Sequence, residues 1–97
     1  MRELTEKEIA NLEQCGRVGF GCKDLAAILS VPLEEVEEEF RNEKGKVYEI
    51  WLKGRMQVEL ELRQSMLKEA LGGSSPMMEK MLKIYHETEE SIQQLTY

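Results

Sequence analysis

The chain has 97 residues and a mass of 11.3 kDa, room for one small domain or a domain with an appendage. Thirteen basic against nineteen acidic residues give a net charge of −6, which excludes a generally basic nucleic-acid coat and leaves DNA contact to a local patch or to an oligomer that concentrates one. Two prolines and 6% aromatics argue against an all-β sandwich, no apolar run approaches the ~20 residues of a membrane span, and no signal-peptide core follows Met1, so a soluble, cytoplasmic protein is expected.

The first helix starts at Thr5-Glu6-Lys7-Glu8, a capping box in which Thr5 and Glu8 serve each other's backbone amides. Leu4 and Ile9 have the spacing of a hydrophobic staple, Ile9 and Leu12 form an apolar stripe, and Gly16, Gly19 and Gly21 place the end near Cys15-Gly16. A second helix is predicted over about 22–29, burying Leu25, Ala26, Ile28 and Leu29, and stops at Ser30-Val31-Pro32. Pro32 suits the first position of a third helix, about 32–41, with Leu33, Val36 and Phe40 inward and Glu34, Glu35, Glu37, Glu38 and Glu39 outward.

Residues 41–46 form a polar break. The longest element follows, about 47–71, apolar on so much of its circumference that it needs two surfaces to pack on. Gly54 inside it requires either the close approach of another helix or a kink. Gly72-Gly73-Ser74 ends it. Ser75 as cap and Pro76 at the first helical position start a last helix that carries Met77, Met78, Met81, Leu82, Ile84 and Tyr85 to about Thr88, antiparallel to the long one. Ile92, Leu95 and Tyr97 keep an apolar spacing beyond it, as a frayed continuation or a segment that orders on a partner. The expected fold is all-α, divided into a helix-turn-helix unit (1–46), a helical hairpin for oligomerisation (47–88) and a tail (89–97).

Cys15, Cys22 and His86 are the only residues of their kinds. Their spacing offers no zinc set, and a Cys15–Cys22 disulfide stays open beside a pair of reduced, partly buried thiols. No phosphate loop, dinucleotide fingerprint or nucleophile elbow is present, so no catalytic residue, metal or cofactor is assigned and a non-enzymatic role is expected.

The segment Lys23 to Val36 has helix-turn-helix spacing. Ala26 is the small residue at the crossing, Ser30 stands four residues later where the turn usually has glycine, and Val31 and Val36 follow as buried positions. Tyr48 with Lys53-Gly54-Arg55 early in the long helix, and Leu67-Lys68-Glu69-Ala70-Leu71-Gly72-Gly73-Ser74-Ser75-Pro76 at the hairpin, complete an order of elements that resembles the small terminase subunits of tailed phages and prophages over about residues 5–86. The resemblance implies a bacteriophage DNA-packaging protein in which the helix-turn-helix helps recognise viral DNA. The hairpin would build a homo-oligomeric ring, and a C-terminal segment would engage the ATP-hydrolysing large terminase subunit in the bacterial host cell.

Candidate phosphate contacts are Arg17, Lys23, Arg41, Lys44, Lys46 and Lys53, with Arg55 beside them; the alternative is scattered solubilising charge. Trp51, Met56, Leu60, Met77, Met78, Met81 and Tyr85 are the candidate oligomer interface. For Trp51, as for Tyr48, core packing competes, and the methionines read equally as interface or core. The acidic face Glu34, Glu37, Glu38 departs from a groove-reading helix. From Cys22 to Arg41 two basic and six acidic residues leave a local charge of −4, repulsive toward DNA. That face is a solvated surface, a docking surface for a basic partner, or a base contact. Two other functions remain beside the packaging protein: an acidic interaction or inhibitor protein that occupies a nucleic-acid-binding partner's basic groove, and a dimeric helix-turn-helix transcription regulator.

Overall fold

In a computed structural model, which describes residues 1–96 (Thr96 by its backbone alone), the protein is all-α. Five helices run in the order α1 (Glu6–Val18), α2 (Cys22–Leu29), α3 (Leu33–Asn42), α4 (Lys46–Leu71) and α5 (Ser75–Thr96), with no strand among the described residues. The spacing of Tyr97 lies outside the described residues. The chain forms two compact units, Met1–Glu59 and one that begins at Leu60, so the boundary falls inside α4.

In the first unit Thr5 and Glu8 make the expected box: the Glu8 amide donates to Thr5 Oγ1 at 3.1 Å and the Thr5 amide to Glu8 Oε1 at 2.9 Å. α1 does not stop at Gly16. It continues to Val18 and is closed by Gly19, whose φ of 82° lets the Phe20 amide reach back to the Cys15 carbonyl at 3.0 Å. Gly16 belongs instead to a helix crossing. A Cβ on Gly16 would run into the Trp51 carbonyl, and one on Gly54 into the Glu13 carbonyl. Each glycine thus admits the other helix's backbone, and the close approach is the alternative realised at Gly54. Gln57 bridges the same crossing, accepting from Arg17 Nη1 at 3.3 Å and donating to Glu13 Oε1 at 3.1 Å.

Leu12, Cys15, Leu25, Ala26, Leu29, Val36 and Val47 form the core of this unit. Ile28, expected inside, is 43% exposed, because Leu25, Ala26 and Leu29 already occupy the buried arc of the short α2. Ser30 takes φ 53° and ψ 47° at the turn, the left-handed conformation glycine adopts most easily. Pro32 caps α3 from outside the helix rather than opening it.

Glu39 does not share the outer face of α3. Its Oε1 accepts from the amides of Val47 at 3.1 Å and Tyr48 at 3.3 Å, satisfying two orphan donors at the start of α4. Gly45, at φ 105°, leaves room for that carboxylate.

In the second unit the three-residue connection Gly72-Gly73-Ser74 folds α5 back along α4. Ser74, not Ser75, is the cap: its Oγ accepts from the Met77 amide at 3.4 Å and its carbonyl from Met78 at 3.0 Å. Ala70 of α4 and Met81 of α5 are the buried hydrophobic side chains of this unit among the described residues. α5 passes the expected end at Thr88 without a break, since residues 88–96 contain neither glycine nor proline.

Candidate functional site

A helix, a turn and a helix follow one another in α2, the left-handed Ser30 and α3, with Leu25, Ala26 and Leu29 of α2 and Val36 of α3 in one buried cluster. An arginine clasp holds this unit from the amino terminus. Arg2 Nη1 and Nη2 donate to Glu8 Oε1 and Oε2 at 2.9 and 2.6 Å, and Nη2 also donates to the Leu29 carbonyl at 2.7 Å, beside the turn. The guanidinium, followed by the Thr5 amide, holds the Glu8 carboxyl down at about 2. Neither role of Arg2 is legible in the sequence, because nothing local relates residue 2 to residue 29.

α3 faces solvent with Glu34, Glu35, Glu37 and Glu38, all exposed. The candidate cations do not form one site. Arg17 is half-buried and tied to Gln57 on α4. Lys23 stands in the first turn of α2, Arg41 in the last turn of α3 and Lys53 on α4, each exposed. Arg55 pairs with Glu59 at 3.2 Å. Lys44 lines a groove of about 460 Å³ with Glu35, Glu38 and Glu39, so its nearest surroundings are acidic. Lys46 lines a neighbouring groove of about 430 Å³ with Arg2, Glu3 and Glu39. Lys44 and Lys46 stand on either side of Gly45 in the chain, both exposed.

The candidate interface divides. Trp51 is held within the first unit: its indole N–H donates to the Phe20 carbonyl at 2.7 Å, and its ring lies 4.9 Å from Phe40 and 6.3 Å from Tyr48. Met81 is buried and Met77 half-buried. Met56, Leu60, Met78 and Tyr85 are exposed at 45–59%. Leu71, Leu82 and Ile92, absent from the expected interface, are exposed at 77%, 50% and 56%. The spacing 78-82-85-92 could have shown that Leu82 and Ile92 share a stripe with Met78 and Tyr85.

Cys15 and Cys22 are free thiols, both pushed up by burial and secondarily by Asp24 and Glu37 respectively, which disfavours the reactive thiolate. Among the described residues no group of three or more His, Cys, Asp or Glu side chains is placed to hold a metal, and no helix is long and apolar enough to cross a membrane. Set beside protein-family models, curated proteins and solved structures, the chain matches none of them.

Proposed function

We propose that this protein is a non-enzymatic DNA-packaging adaptor of the small terminase kind, self-associating through its hairpin and linking DNA to a large, ATP-hydrolysing partner. The observation that carries the reading is the pairing in one chain of a helix-turn-helix unit with a hairpin whose second helix leaves a row of large apolar side chains in water. A helix-turn-helix supplies a DNA-sized surface, and the exposed row supplies a reason to assemble. α3 carries four exposed glutamates, so in this reading the contact is made to phosphates by Lys44, Lys46 and other exposed cations, gathered from several copies.

Fluorescence anisotropy with duplex DNA across a salt series tests it. Binding is expected to be salt-dependent, and Lys44→Ala with Lys46→Ala should weaken it evenly across DNA sequences, flattening the salt slope by about 0.9 for each phosphate that is no longer neutralised. A weakening confined to one DNA sequence contradicts phosphate contact by these lysines. Absence of binding at low salt removes the DNA role. It favours the second reading, an acidic module that docks on a basic protein surface, which rests on the glutamate face of α3.

A further inference from the structure

We infer that the outward stripe of the α4–α5 hairpin is covered by the same stripe of a second copy of this chain. The inference rests on the self-associating reading above and names the face it uses.

α5 carries two seams side by side. Met77, Met81, Ile84 and Thr88 recur at alternating steps of four and three; the first three are buried or half-buried, and Met81, Ile84 and Thr88 line one groove with Arg63, Gln64 and Leu67 of α4. Shifted by one residue, about 100° around the helix, Met78, Leu82, Tyr85, Glu89 and Ile92 repeat the same steps. The four apolar members of this second seam are exposed at 45%, 50%, 45% and 56%. A helix with one seam needs one partner, and a helix with two adjacent seams needs two. α4 supplies the first.

α4 has a matching row at the same steps, Leu60, Gln64, Leu67 and Leu71, in which Leu60 is 59% and Leu71 77% exposed. Gln64 and Leu67 of this row line that groove, of about 280 Å³, with Met81, Ile84 and Thr88 of the first seam and Tyr85 of the second, so the α4 row borders the outward seam at Tyr85. At these exposures the six apolar side chains present on the order of 600 Å² of surface, the upper end of what a monomer leaves open. That is most of the roughly 800 Å² per partner of a stable interface.

Charge identifies the occupant as a second copy. The chain carries −6, yet the nine positions of the two rows hold a single charge, Glu89. Two copies meeting through the exposed glutamates of α3 bring carboxylates together. On this face they meet with almost none, and each apolar row finds its counterpart on the other copy.

Sedimentation equilibrium of the full chain at micromolar concentration, with helicity followed by circular dichroism, tests the assignment. The wild type should have at least twice the 11.3 kDa chain mass. Leu82→Glu with Tyr85→Glu should reduce it to a helical monomer, and Lys83→Glu, off the stripe, should leave it assembled. A helical double variant that stays assembled overturns this face while leaving self-association standing. A monomeric wild type overturns both. If the double variant unfolds, Leu82→Cys and Lys83→Cys decide: oxidative cross-linking through position 82 and not 83 supports the face, and the reverse overturns it.

Discussion

Ser30 and Glu8 show how single residues set the helix-turn-helix unit. Ser30 holds the turn at φ 53°, where a side chain is strained by about 1–2 kcal/mol, less the ~0.5–1 kcal/mol of extra chain entropy that glycine loses on folding. Ser30→Gly should therefore raise stability by about 0.5–1 kcal/mol, seen as a higher denaturant midpoint with unchanged slope. Glu8 couples the same unit to pH. Its carboxyl sits at about 2 in the fold against 4.5 for the free group, first because Arg2 donates to it and then because the Thr5 amide does. A depressed folded value means stability present above pH 4.5 and lost as pH falls from 4.5 toward 2. Urea midpoints across that window should drop in the wild type, and the Glu8→Gln variant should show a shallower fall.

The elements are fixed by how closely their backbones approach. α1 and α4 cross at Gly16 and Gly54, each seated against a carbonyl of the other helix. Gly16→Ala or Gly54→Ala forces the helices apart, roughly 1–3 kcal/mol of overpacking, offset by the ~1 kcal/mol that alanine gains over glycine inside a helix. A net destabilisation of up to about 2 kcal/mol is expected for each. The double variant should lose less than the sum, because both changes separate the same pair of helices. A thermal-melt comparison of the two single variants and the double variant checks this. The start of α4 depends on a neighbouring element too: Glu39, at the end of α3, caps it across the Gly45 turn.

For the whole molecule, the charge of α3 is the property that a binding experiment can read. The exposed glutamates of α3 follow one another at helical spacing and repel. Changing Glu34, Glu37 and Glu38 together to glutamine should leave DNA affinity unchanged and move stability by only a few tenths of a kcal/mol as like-charge pairs are relieved. A tenfold or greater rise in DNA affinity, measured at constant salt, would place α3 against the groove after all. Slower association with a basic protein, affinity for DNA unchanged, would assign the face to docking.

Local chemistry determined the all-α class, the number of helices, the Thr5–Glu8 box, the left-handed position at Ser30 and the inward side chains of α2 and α3 apart from Ile28. Each depends on residues within about one or two helical turns of each other, where spacing alone says what meets. Tertiary structure decided what depends on distant partners. Gly16 reads as a helix end until α4 is laid across it. Glu39 reads as a solvated carboxylate until the amides of Val47 and Tyr48 are brought beneath it. Arg17 reads as a phosphate contact or as solubilising charge, and Trp51 as interface or core, until Gln57 and the Phe20 carbonyl engage them within the first unit. The methionines of α5 divide for the same reason: adjacent positions such as Met77 and Met78 are equally apolar in the sequence, and only the placement of α4 determines which of them is covered.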